Sequence, residues 1–356
     1  MTDDLEIVLE RRGATGLVVL NRPRALNALT LGMIRDFQPV LDAWALDREI
    51  KAVVVRGAGE RAFCAGGDVR AVYEAGKVGG DLTRTFFREE YVLNRTIFRH
   101  PKPYIALIDG ITMGGGVGLS IPGRHRIAGD KTLLAMPETV IGLFPDVGGS
   151  WFLPRLPGET GTWLALTGAR LKAADCLYLG LATAYVPSDD MAALEAALLA
   201  ADPQGTDPSR ELERIVAGFA RDPGPSEVAA HRAAIDRCFA ADTVEEIFDA
   251  LEREGDDWGR AQLAQLQKGS PTSMKVTLEQ LRRGSRLDSF EDCMTMEYRL
   301  SQACMASGDF YEGIRAVLVD KDHAPRWDPA RLDQVGRDRV ESFFAPLGAE
   351  DLHFDR

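Results

Sequence analysis

Three observations predict an α/β chain: short β-branched runs ended by turn residues, helical apolar spacing between them, and a glycine-rich turn that follows one of the runs. GLVVLNRP at 16–23 and KAVVVRG at 51–57 read as buried strands. Between them Leu31, Ile34, Phe37, Leu41 and Trp44 recur at helical spacing after Thr30, whose hydroxyl suits an N-cap. PYIALIDG at 103–110 feeds the turn ITMGGGVGLS at 111–120, and RHRIAGDKTLLAMPE at 124–138 returns as strands. Pro, Gly, Asp and Ser concentrate over 201–226, in ADPQGTDPS and RDPGPS, and place a boundary there. The expected division is an α/β core at 1–200 and a mostly helical region at 201–356. In the latter, SEVAAHRAAIDRCF, VEEIFDALE, PTSMKVTLEQLRRG and MTMEYRLSQACM all space apolar residues three and four apart.

Composition removes several function classes. The chain has 356 residues, 45% hydrophobic and 27% charged, which is the balance of an ordinary globular protein. Its formal charge of −12 speaks against nucleic acid and anionic membrane as partners, while leaving room for an anionic small ligand on a local basic patch. There is no run of about eighteen apolar residues, so no membrane span is expected. MTDDLEIVLERRG lacks the features of a secretory or transit leader, which makes the cytoplasm the expected location. Five widely separated cysteines without a C-x-x-C pair argue against structural disulfides and zinc. Cys64, beside Gly66 and Gly67, is either a nucleophile or a small buried hydrophobe. Five isolated histidines suggest no metal site, and Leu119 stands where a dinucleotide-binding G-x-G-x-x-G would need its last glycine.

The chemistry concentrates in 111–150. Without Cβ atoms, Gly114, Gly115 and Gly116 let their amides approach a ligand, and a helix opening at Gly116 or Val117 would aim further amides at the same spot. A tight strand-to-helix turn without a ligand is the alternative. Glu138 lies between Met136-Pro137 and Val140-Ile141. Apolar neighbours raise a carboxyl's pKa and poise it for proton transfer or attack; a solvated first-turn carboxylate is the bland reading. Asp146, before Gly148 and Gly149, is a natural N-cap for WFLPRL.

LNRPRALNALT at 20–30, RAFCAGGD at 61–68 and the glycine turn, in that order, resemble the crotonase (enoyl-CoA hydratase/isomerase) superfamily. FFREEYVLNRTI, MPETVIGLFPDVGGSWFLPRL, SPTSMKVTLEQL and the stretch from EYRLSQACM to AVLVDKDHAPRWDP look like its 3-hydroxyisobutyryl-CoA hydrolase family, over nearly the whole chain. The resemblance implies a crotonase-like spiral of ββα units with a helical carboxy-terminal region. It implies amides of Gly67 and Gly115 as an oxyanion hole, and Glu138 and Asp146 as catalytic carboxylates. Glu90 would meet the hydroxyacyl end, and main-chain groups near Ala25, Leu26, Asp68 and Val69 would hold the adenine and pantetheine of coenzyme A. No metal or further cofactor is implied, since coenzyme A is part of the substrate; self-association into a homo-oligomer is open. Hydratases of the superfamily carry a second catalytic glutamate where this chain has Gly118, which counts against water addition. The expected activity is hydrolysis of 3-hydroxyisobutyryl-CoA, with 3-hydroxypropionyl-CoA as a second substrate. A hydratase or isomerase, and a non-catalytic acyl-CoA-binding protein, are the alternatives.

Overall fold

The computed structural model describes residues 5–202 and 208–354. The boundary segment's 203–207 and the first four residues of the amino-terminal reading lie outside them.

Two sheets carry the strands. The larger joins β1 (Ile7–Arg12), β2 (Thr15–Leu20), β3 (Ala52–Gly57), β5 (Tyr104–Leu107), β7 (His125–Ala128) and β9 (Ala184–Tyr185) in that order. The smaller joins β4 (Ala62–Cys64), β6 (Ile111–Met113) and β8 (Leu133–Ala135). Only β1–β2 is antiparallel in the large sheet; β2–β3, β3–β5, β5–β7 and β7–β9 run parallel. Each pair β3/β4, β5/β6 and β7/β8 therefore gives one strand to each sheet before the chain moves on, which makes a spiral. β1 is a strand that the alternation in IVLERR could have disclosed.

The helices are α1 (Leu31–Leu46), α2 (Val69–Lys77), α3 (Leu82–Arg99), α4 (Gly115–Gly118), α5 (Gly149–Phe152), α6 (Thr160–Thr167), α7 (Ala173–Tyr178) and α8 (Ser188–Ala200). Then follow α9 (Pro208–Phe219), α10 (Glu227–Phe239), α11 (Val244–Glu254), α12 (Asp257–Leu266), α13 (Pro271–Gly284), α14 (Phe290–Ala306), α15 (Gly308–Ile314) and α16 (Arg337–Ser342). Thr30 caps α1 as expected, accepting from the Met33 amide at 3.1 Å.

These elements group into two compact units: Met1–Gly67, Val92–Leu134 and Arg170–Ala229 in the first, Asp68–Tyr91, Ala135–Ala169 and Ala230–Arg356 in the second. The units do not follow a cut at 200/201. Residues from α8 and α9 complete the core of the first unit, where Leu17, Val54, Ile105 and Ile127 meet Leu194, Leu198, Leu212 and Val216. Excursions at 68–91 and 135–169 belong instead with the carboxy-terminal helices. Sequence distance is a poor guide where apolar faces choose the nearest partner.

Among the described residues no helix is long and apolar enough to cross a membrane. The five cysteines are buried and none is in a disulfide.

Candidate active site

The first unit brings the glycine segments together. β4 and β6 pair in parallel, with Ala62 opposite Ile111 and Cys64 opposite Thr112. The chain thus leaves two adjacent strands at the same end, through Gly66-Gly67 on one side and Gly114-Gly115 on the other, which is where parallel sheets commonly offer ligand sites. The approach is close: a Cβ on Gly116 would stand 2.1 Å from the Cys64 carbonyl oxygen. Helix α4 opens at Gly115, one residue earlier than expected, after Gly114 at φ 44°. The Gly114 carbonyl takes the amides of Val117 and Gly118, so the amides of Gly115 and Gly116 have no acceptor within α4. The Leu26 carbonyl accepts from Ala65, and the Leu29 amide donates to Gly66. That brings Leu26 to the 65–67 turn, with Ala25 exposed just before it in a 3-10 turn at Pro23–Ala25. Gly118 is buried, and its carbonyl accepts from Asn94 at 3.0 Å. Cys64 is wholly buried, the setting of a packing residue.

The second unit collects the acids. Glu138 opens a 3-10 turn, Glu138–Ile141, with 5% of its surface exposed. Its Oε2 has no hydrogen-bond partner. Two glycines fix this turn against α15: a Cβ on Gly142 would meet the Asp309 backbone at 2.3 Å, and one on Gly313 the Ile141 carbonyl carbon at 2.4 Å. Glu90 on α3 is 2% exposed with Oε1 unpartnered, and the adjacent Tyr91 donates its hydroxyl to Asp146 Oδ2 at 2.8 Å. Asp146 is itself 4% exposed. Glu138 and Glu90 are therefore not the exposed, solvated carboxylates of the bland readings, because both side chains are buried. Asp68 caps α2 through the Ala71 amide at 3.4 Å, and Val69 opens that helix.

Asp146 does not cap the following helix. That part falls to Glu297 on α14, which sequence reading passed over. Its Oε2 accepts from the Gly148 amide and its Oε1 from the Ser150 amide, both at 2.8 Å. Gln280 on α13 donates to the Pro145 carbonyl at 2.6 Å and to Ser150 Oγ at 2.8 Å. A signal was present: Glu297 sits in the apolar stripe Cys293, Met294, Leu300 and Cys304 of α14, where a charge is out of place. Tyr91 carried none beyond its place beside Glu90.

Mutual proximity and burial set the protonation. Burial pushes Glu138 well above the ordinary carboxylate range, with Asp146 and Glu90 adding repulsion. Burial likewise raises Glu90, with Asp146 and Glu297 adding to it. Asp146 is raised by burial, against the lowering from Tyr91's hydrogen bond. Glu297 is pushed up to about 8 by burial, although the Gly148 and Ser150 groups oppose this. Acids clustered in one buried site titrate as a set, and burial holds their protons more tightly than water would. Among the described residues no group of His, Cys, Asp or Glu is arranged to hold a metal ion.

The sequence pattern of the enoyl-CoA hydratase/isomerase family matches residues 15–344. A protein from Xenopus laevis named "3-hydroxyisobutyryl-CoA hydrolase, mitochondrial" is 50% identical, covering 97% of this chain and 90% of its own length. The Homo sapiens protein of that name is 50% identical, over 98% and 91%. Among solved structures, one titled as a carnitinyl-CoA dehydratase from Mycobacterium thermoresistibile superposes with a TM-score of 0.93 at 41% identity, covering 99% of both chains. Both relatives are named as mitochondrial, which overturns the cytoplasmic expectation. Compartment addresses are read by receptors from short segments and not from the folded core, so the acidic amino-terminal residues were no positive evidence for a compartment. With a family pattern matching residues 15–344 and half-identical relatives along nearly its whole length, this chain belongs to the enoyl-CoA hydratase/isomerase family.

Proposed function

We propose that this protein is an acyl-CoA thioester hydrolase acting on 3-hydroxyisobutyryl-CoA, releasing the hydroxy acid and coenzyme A. The observation that carries this reading is half-identity, along nearly the whole chain, to proteins named for that activity. A place in valine catabolism follows from the same substrate, and 3-hydroxypropionyl-CoA is a second substrate of the same chemistry.

Each residue's part is chemical. Amides of Gly67 and Gly115 hold the thioester oxygen as charge develops on it, an effect commonly worth about 3–4 kcal/mol per donor. The carboxylate of Glu138 attacks the carbonyl carbon; the C–S bond breaks and the departing thiolate takes a proton, leaving an acyl-glutamyl anhydride that water opens. Direct activation of water by Glu138 is the other route to the same products. Asp146 orients the substrate hydroxyl and passes the proton, and Glu90 meets the hydroxyacyl end. Main-chain groups near Ala25, Leu26, Asp68 and Val69 hold the coenzyme A portion. Burial of Glu138 with one oxygen unpartnered supports its role, since a desolvated carboxylate is the stronger nucleophile and base.

A solved structure titled as an enoyl-CoA hydratase from Rhodobacter sphaeroides, 38% identical with a TM-score of 0.90, keeps a hydration reading in view. Gly118 opposes it, because water addition uses two flanking carboxylates and loss of one costs roughly 10²–10⁴ in rate. The deciding experiment is thiol release by the purified chain over a panel of acyl-CoA thioesters, run beside crotonyl-CoA hydration. Fastest release from 3-hydroxyisobutyryl-CoA is expected, and hydration without thiol release would overturn the proposal. Self-association is read by light scattering on the same sample.

A further inference from the structure

The turn that carries Asp146 is strained, and it is held from outside. Val147 adopts φ 50° and Gly148 φ 97°, two consecutive residues in left-handed backbone. For Gly148 this is free, but a β-branched residue there is an outlier that costs energy and persists only where neighbours over-determine it. The neighbours are two side chains from far along the sequence. Glu297 binds the amides of Gly148 and Ser150, and Gln280 binds the Pro145 carbonyl and the Ser150 hydroxyl. Every anchor flanks Asp146; none touches its carboxylate, which turns instead to Tyr91.

Without these anchors the sequence PDVGGS would favour another arrangement, in which Asp146 caps the amides that Glu297 now holds. A capping Asp146 would direct its oxygens to its own backbone and away from Glu90 and Glu138. Both anchors are fully buried, and Glu297 presents one oxygen to each of the two amides. Filling a core calls for neither residue.

We infer that Glu297 and Gln280 are positioning residues, a two-point clamp from α13 and α14 that denies Asp146 its local capping role and holds its carboxylate toward the reacting groups. The inference rests on the assignment of Asp146 to thioester hydrolysis made above. Neither residue meets the substrate; both act through the 145–150 turn. In function, the helical carboxy-terminal region thereby becomes part of the catalytic apparatus.

The test is a double-mutant cycle on 3-hydroxyisobutyryl-CoA hydrolysis, with melting curves to check folding. Glu297→Gln places an amide NH₂ against one of the two backbone donors, so one anchor is lost while the shape is kept. In the wild-type background kcat is expected to fall at least about tenfold with KM changed less than about threefold. In the Asp146→Asn background the same substitution is expected to cost less than about twofold, because the group it positions is already gone. Gln280→Met, which removes the other anchor, should show the same pattern and carries the test if Glu297→Gln does not fold. Equal fold-losses in the two backgrounds would overturn the inference, as would failure of both variants to accumulate as folded protein, which would assign the pair to stability alone. Thiol release by the unsubstituted protein keeps the two readings apart: if it hydrolyses no 3-hydroxyisobutyryl-CoA the proposed function fails, whereas equal fold-losses on a protein that does hydrolyse it overturn the clamp alone.

Discussion

The glycine turn at 113–118 and the acidic turn at 138–150 reach a reactive surface by opposite means. The first removes side chains, so that the amides of Gly115 and Gly116 are left without acceptors in α4 and the Cys64 carbonyl packs where a Cβ on Gly116 would stand. The second buries side chains: Glu138 and Asp146 lie almost wholly out of water with Glu90 and Glu297 in the same cluster. Backbone donors have fixed charge and direction, while buried carboxylates take their protonation from burial first and from one another second. Geometry therefore governs the glycine turn, and proton affinity governs the acidic one.

That contrast can be broken most sharply at Glu138. Glu138→Gln keeps the shape and removes the basicity and the nucleophile; thiol release is expected to fall at least about a hundredfold, about 2.7 kcal/mol, with coenzyme A affinity nearly unchanged by calorimetry. Near-normal turnover would take the acidic turn out of the chemistry. The matching test of the glycine turn is Gly116→Ala, whose added methyl meets a carbonyl oxygen that cannot swing aside. It should cost about 1–3 kcal/mol in denaturant unfolding, since overpacking against backbone is relieved only by shifting strands. Unchanged stability would show that β4 and β6 separate easily.

Asp146→Asn sharpens the comparison by asking what a buried carboxylate does for the substrate. Turnover should fall about tenfold for 3-hydroxyacyl thioesters and several-fold less for acyl chains without the hydroxyl, a difference of about 1 kcal/mol from one lost hydrogen bond. Equal losses on both would assign Asp146 to general proton transfer.

The smallest effect is on stability against pH. A carboxyl whose folded value lies above its unfolded one stabilises the fold below the unfolded value and loses that contribution as pH rises through the folded one. For Glu297 the window runs from its ordinary 4.5 to about 8, and Glu138 is raised from the same 4.5. Melting temperature should therefore decline as pH rises across that range. In Glu138→Gln, which cannot titrate there, the decline should be shallower by ~1–2 °C. Parallel slopes would mean that Glu138 is not desolvated in solution.

The sequence by itself determined β2, β3 and β5, because a sheet buried on both faces demands continuous apolar runs such as KAVVVRG, and the pattern is local. It determined α1, with Thr30 before a clean helical stripe, and it marked a close backbone approach at the glycine turn, since residues without Cβ permit one. Glu138 stood out for a similar reason, as an acid among apolar neighbours. Tertiary structure alone decided the rest. Whether Asp146 caps a helix or faces the other acids depends on Glu297, 151 positions later, and on Gln280, 134 positions later. The excursions at 68–91 and 135–169 join the carboxy-terminal helices and not their sequence neighbours, which no linear cut at 200/201 could express. Local patterns fix what a segment's backbone does. A side chain's protonation and direction are fixed by whatever folding brings against it, and here those partners come from helices at the far end of the chain.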